Sequence, residues 1–171
     1  MRVAGTLATL LPVGGALIAA VLLSASTEPA VRVAPMDSVG PRTMEAQTQA
    51  SVIRDYLMAW QTMNATLTQN RPDLLDAVFV GKAKEKLGET VHEQLRLGIK
   101  TSYLPKSHYI SVVFYSPEGL SIQLLDEVEY DVNVWKGEQF LGLEHVRARY
   151  VAVLSPSETR WKVRMFQGGQ P

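Results

Sequence analysis

The sequence predicts an α+β fold: three N-terminal helices packed on a curved four-stranded antiparallel meander, preceded by a signal or transmembrane helix. Three observations lead there. An uncharged apolar run stands near the N-terminus. Apolar residues then recur at helical spacing up to about residue 100. Beyond Pro105 the period drops to two, and turn sequences separate the alternating runs.

Residues 7–25 read LATLLPVGGALIAAVLLSA, and no charge falls between Arg2 and Glu28. A single arginine before an apolar run suits an export signal. Ser24-Ala25-Ser26 offers the small residues of a cleavage site. The same stretch, at about 1.5 Å per residue, also nearly spans a hydrocarbon core of roughly 30 Å. Cleaved signal and retained anchor therefore both stand, and either places the remainder of the chain outside the cytoplasm, in the cell envelope. The expected divisions are 1–26 as signal or anchor, 27–43 as a proline-rich linker, 44–167 as one α+β domain and 168–171 as a tail.

The whole chain has 171 residues, 46% hydrophobic, with no net formal charge. Removing residues 1–26 takes away only Arg2 and leaves the remainder near −1. Such a body lacks the concentrated positive surface that nucleic-acid binding needs. The absence of cysteine excludes disulfides, thiolate metal sites, a cysteine nucleophile and a lipid-anchored cysteine.

Pro41, Thr43 and Glu45 set up a helix start. Ile53, Tyr56, Leu57, Trp60, Asn64 and Leu67 then share one helical face, with Arg54, Asp55 and Gln61 off it. Asn70-Arg71-Pro72-Asp73 ends this helix and starts a short second one. In the third, Ala83, Leu87, Val91, Leu95 and Ile99 recur every four residues, and Pro105 forbids continuation. Strands are expected at 108–115, 120–135, 143–154 and 159–167. On the second, Leu120, Ile122, Leu124, Val128, Tyr130, Val132 and Val134 share one parity and Glu127, Glu129 and Asp131 the other. On the last, Trp161, Val163 and Met165 alternate with Arg160, Lys162 and Arg164. Short turns imply antiparallel neighbours, and the helices must cover the apolar face.

This order, with Tyr56 and Trp60 on a long first helix and four strands ending in Arg160-Trp161-Lys162-Val163, resembles the nuclear transport factor two-like (cystatin-like) roll superfamily over residues 44–167. Within it, the membrane helix ahead of the roll resembles the bacterial envelope branch. That resemblance implies a scaffold or interaction module. The superfamily also contains enzymes whose general base is an acid inside the roll.

Two constellations carry the functional expectations. The charges of the wet face, Glu127, Glu129 and Asp131 with Arg147, Arg149, Arg160, Lys162 and Arg164, form either a bipolar docking surface or cross-strand ion pairs, and pairing is favoured for most of them. The five basic residues, on hairpin-linked strands, exceed the local acidic supply and are the candidate binding patch. Asp126 has inward parity. The favoured arrangement is a β-bulge at Leu125-Asp126 that turns the carboxylate to solvent. In the alternative it stays inside with Tyr130 and His108, as weak catalytic candidates for proton abstraction or water activation. No histidine pair stands at metal-ligand spacing, so neither metal nor cofactor is expected. The first functional expectation is a non-catalytic, membrane-anchored or exported interaction domain that binds a protein partner or pairs with itself through the sheet face. The second is a small-ligand binder or enzyme using a polar pocket inside the roll.

Overall fold

The computed structural model describes residues 28–35 and 42–169. In chain order these form β1 (Ala30–Val33), α1 (Ala46–Gln69), a 3-10 helix (Pro72–Ala77), α2 (Gly81–Leu97), β2 (Ile99–Tyr115), β3 (Ile122–Lys136), β4 (Gln139–Pro156) and β5 (Trp161–Gly169). The strands make one sheet in the order β1-β2-β3-β4-β5. β2 to β5 run as an antiparallel meander, and β1 lies parallel to β2. The expected signal or transmembrane helix falls on residues outside those described. No helix among the described residues is long and apolar enough to cross a membrane.

Four expectations are corrected. The sheet has five strands, because Ala30–Val33 of the expected linker pairs with Ser107–Ile110. The middle helix is 3-10 rather than α, leaving two α-helices. β2 begins at Ile99, since Gly98 takes φ 67 and ends α2, so Pro105 lies within a strand. Residues 168–169 continue β5 and are not a tail.

α1 buries Val52, Ile53, Tyr56, Ala59, Trp60, Met63 and Leu67 and lies across β2 and β5; of the expected face, Leu57 and Asn64 are half-buried, while Val52, Ala59 and Met63 join it. In α2 the buried stripe is Ala83, Val91 and Gln94, while Leu95 is exposed. A strict four-residue repeat drifts off a helix of 3.6 residues per turn, and Gln94 takes the place Leu95 would have left. The Gln94 side chain accepts from Thr101 N–H (3.0 Å) and donates to Thr101 Oγ1 (3.1 Å).

These bonds belong to a wider pattern along the lateral edge of β2. Asn64 Oδ1 accepts from Tyr103 N–H at 2.8 Å, Asn70 Nδ2 donates to Ile99 O at 2.8 Å, and Thr68 Oγ1 donates to Thr101 O at 3.2 Å. β1 closes the edge further on. Strand edges left open recruit other strands, and here helix side chains occupy those positions. The β5 edge is treated alike. Trp161 N–H donates to Asp55 Oδ2 (2.8 Å), and Val163 exchanges backbone bonds with Val78 and Val80 (both 2.9 Å). Asp55, off the buried face by spacing alone, is thus buried as an edge cap.

Register shifts at Pro105/Ser107, Val112/Phe114, Val134/Trp135 and Val153/Leu154 mark bulges. The last sets Val163 and Phe166 on the inner face and sends Met165 to solvent, correcting the expected alternation on β5. Replacing Asn64 with Ala orphans the Tyr103 N–H and is expected to cost about 1–3 kcal/mol in urea unfolding, whereas Asn64→Asp, which keeps the acceptor oxygen, recovers part of that loss.

Candidate functional site

The inner face of β3 carries Leu124, Asp126, Val128 and Tyr130. Pairing runs without interruption from Leu124 to Val134 against β4, and Asp126 stands opposite Ile110 on one side and Tyr150 on the other. The expected bulge at Leu125-Asp126 is absent, and Asp126 is 0% exposed. What makes this burial tolerable is bonding to the carboxylate. His108, diagonal to Asp126 across β2 and β3, sets its Nδ1 2.8 Å from Asp126 Oδ2. Tyr56, on the buried face of α1, donates its hydroxyl to the same oxygen at 2.9 Å. One helix and two strands therefore meet on a single carboxylate oxygen.

Trp60 lies one turn beyond Tyr56. Its ring packs against His108 (5.3 Å between centroids), Tyr150 (5.1 Å) and Phe166 (5.5 Å). Tyr130 shares the inner face, yet its hydroxyl lies 3.1 Å from that of Tyr150 and makes no bond to Asp126. Of the three residues grouped from sequence, the structure joins His108 to Asp126 and sets Tyr130 in a separate pair. Helical spacing gives Tyr56 and Trp60 a core position and nothing more. A buried tyrosine hydroxyl needs a partner, and an inward-parity aspartate elsewhere in the chain is the available signal.

Burial, and next the Asp126 charge, push the Tyr56 phenol well above its usual range. Burial raises Tyr103 and Tyr150 as well, with Tyr130 second in each case. Among the described residues, Asp126 Oδ1, His108 Nε2 and Trp60 Nε1 have no hydrogen-bond partner. A carboxylate on Nδ1 fixes the imidazole orientation and leaves Nε2 as the reactive position, the arrangement of an oriented general base. His108 also lines a cleft of about 790 Å³ between α1 and β2, with Trp60, Asn64, Tyr103 and Lys106, whereas Asp126 does not reach it.

On the outer face the charges pair across strands. Arg149 bonds Glu127 at 2.8 Å, Arg147 bonds Glu129, and Asp131 takes Lys106 at 2.9 Å together with His145. The hydrogen bond from Lys106, with His145 in support, holds the Asp131 carboxyl below its usual range. The five basic residues of the candidate patch are not gathered in one place. Lys162 stands opposite Ser155, and Arg149 opposite Gly169 at the far end of β5. The six residue steps of β4 from Arg149 to Ser155 span about 20 Å. Arg160 donates to Met58 Sδ (3.1 Å), Lys162 to Asp76 O (2.9 Å), and Arg164 is exposed at the bulge. No cluster of three or more metal-ligating side chains occurs among the described residues.

Asp126→Ala strands the Tyr56 hydroxyl and His108 Nδ1 inside the core. It is expected to cost about 3–5 kcal/mol in urea unfolding. Alkali tests the tyrosines. Their folded pKa values are raised, so their contribution is whole below the unfolded value near 10 and is lost as pH rises past it. Stability should fall by about 1.4 kcal/mol per pH unit for each of these three tyrosines kept neutral, and the ring resonances of Tyr56 should report ionisation only together with unfolding; a Tyr56 ring that ionises while the fold persists contradicts this.

No family model and no curated protein matches the chain. Solved structures do. The intermembrane space region of the chloroplast protein ARC6 superposes with a TM-score of 0.61 at 15% identity, over 76% of this chain and 100% of that one. A provisionally assigned scytalone dehydratase from Novosphingobium aromaticivorans gives 0.53 at 12%, over 74% and 89%. A provisionally assigned dehydratase of the NTF2-like family from Streptomyces avermitilis gives 0.50 at 7%, over 71% and 98%. With helices on one face of an antiparallel meander and these likenesses in shape, the chain has the fold of the nuclear transport factor two-like, or cystatin-like, roll superfamily.

Proposed function

We propose that residues 44–167 are a non-catalytic protein-interaction domain on the extracytoplasmic side of a cell-envelope membrane, with residues 7–25 as the link to that membrane. The observation that carries this reading is the packing above the buried acid of the inner face, Asp126. Trp60, Tyr150 and Phe166 close over the inner face, and Asp126 has no exposed surface. The shape of the ARC6 region, which belongs to an intermembrane space, supports the location.

The outer face of the sheet supplies the contact surface. Val113, Phe114 and Met165 are exposed there beside half-buried Leu125, Val151 and Val153. The Glu127–Arg149 and Glu129–Arg147 pairs border this patch. An apolar centre with a polar rim is the anatomy of a protein interface. Acidic and basic rows lie side by side, so a two-fold axis sets the acids of one copy against the bases of the other. The partner this fits is a second copy of the chain. Sedimentation of the full chain in detergent should show a concentration-dependent dimer that Met165→Glu weakens at least tenfold. A wild-type chain that stays monomeric at every concentration removes the homodimer.

A second reading has its own observation: His108, oriented by Asp126, lines the cleft with Nε2 unpartnered among the described residues. It would suit a small ligand handled by general acid/base chemistry, and the two provisionally assigned dehydratases of the same shape are in keeping with it. Fragment titration followed at the His108 ring resonances separates the readings. Ligands that move those resonances favour the enzyme, and a ring that responds to none leaves the interaction domain.

A further inference from the structure

We propose that the free end of the β3–β4 ribbon is a second membrane contact, seated on the same lipid bilayer that holds residues 7–25; the inference rests on the membrane reading of that run. The direction of β1 is the first observation. Ala30 stands beside Ser107 and Val33 beside Ile110, in parallel. The chain entering β1 therefore comes from the Ile99 end of β2. Glu28 and Pro29 line the cleft with Leu104, Pro105 and Lys106, so they already track β2 on that course. Only Ser26 and Thr27 remain to redirect the backbone after Ala25, where the apolar run ends.

Lengths turn this direction into a constraint. Ala25 to Ala30 is five steps, a reach of about 17 Å when fully extended. Ser107 to Ile99 is eight steps of β2, about 26 Å. Ile99 is paired with Lys136, and the ribbon turns at Gly137 just beyond. The ribbon thus projects toward the bilayer farther than the linker can hold the domain away from it.

The composition of that end is a second, independent observation. Phe140, Leu141 and Leu143 are 54%, 51% and 50% exposed, and Trp135 packs on Phe140 with ring centroids 5.7 Å apart. Leu95 and Leu97, at the end of α2 beside Ile99, are exposed too. Left in water these apolar side chains are without cover. Against the headgroup layer, aromatic and leucine side chains find the mixed environment they favour. The nearby charges are of both signs, Lys100 and Lys136 with Glu138 and Glu144, so the contact is apolar insertion and needs no anionic lipid.

The chain has no cysteine, so single-cysteine labels report one position each. The test places Phe140→Cys, Leu141→Cys and, at the opposite turn, Glu118→Cys in the full chain, reconstituted into phosphatidylcholine vesicles with and without phosphatidylglycerol. An environment-sensitive fluorophore is read against nitroxide-labelled lipid. Probes at 140 and 141 should be quenched several-fold more than the probe at 118, to the same extent in both lipid mixtures. Vesicle-bound chain whose probes at 140 and 141 stay as wet as that at 118 overturns the proposal and leaves the anchor reading standing. Quenching that appears only with phosphatidylglycerol overturns the apolar mode of contact. Chain that does not float with vesicles of either composition overturns both the anchor reading and the second contact.

Discussion

Taking a carboxylate fully out of water costs several kcal/mol unless strong hydrogen bonds replace the lost hydration, and Asp126 has no exposed surface at all. The Tyr56 hydroxyl and His108 Nδ1 converge on its Oδ2, and bonds to a charged group contribute about 1.5–3 kcal/mol each. Because Tyr56 stands on α1 and His108 on β2, the same bonds fix the helix against two strands. Trp60 comes one turn later and fills the space between His108, Tyr150 and Phe166. This polar contact thus joins the apolar face of α1 in setting the first helix, and Trp60 closes the inner face over the acid.

The rest of the molecule disposes of its open strand edges. Asn64, Thr68, Asn70 and Gln94 cap β2, β1 continues that cover, and Asp55 with Val78 and Val80 caps β5. A sheet bordered in this way gives strand addition little purchase at those positions. The proposed recognition surfaces are the outer face, with its apolar patch and ion pairs, and the apolar end of the ribbon. Both lie away from the acid, in keeping with a domain that works through its exterior.

Strand parity makes the inner face of β3 legible, because Leu124, Val128 and Tyr130 alternate with Glu127, Glu129 and Asp131. It also gives Asp126 its inward parity. Sequence alone favours a bulge there because the local residues offer no compensation for a buried carboxylate. That compensation comes from His108, which the sequence does group with Asp126, and from Tyr56, 70 residues earlier, a partner of which strand periodicity carries no trace. The β5 bulge is hidden for a related reason: no glycine marks Arg164, and only the pairing with β4 exposes the shift. Ala30–Val33 is hidden by its neighbouring prolines and its exposure, since a short strand held by backbone bonds at an edge has little hydrophobic signature. Asn64 and Gln94 show the converse, polar residues on buried helix faces that packing alone would not choose and that the β2 edge requires.

The claim that Tyr56 and Asp126 act as one unit is open to a direct thermodynamic measurement. A double-mutant cycle with Tyr56→Phe, Asp126→Ala and the pair, monitored by urea unfolding, isolates their interaction. The account predicts a coupling of about 1.5–3 kcal/mol, the range for a hydrogen bond to a buried charge. Effects that add to within about 0.5 kcal/mol mean that the two side chains do not meet, and the helix is then held to the sheet by something else.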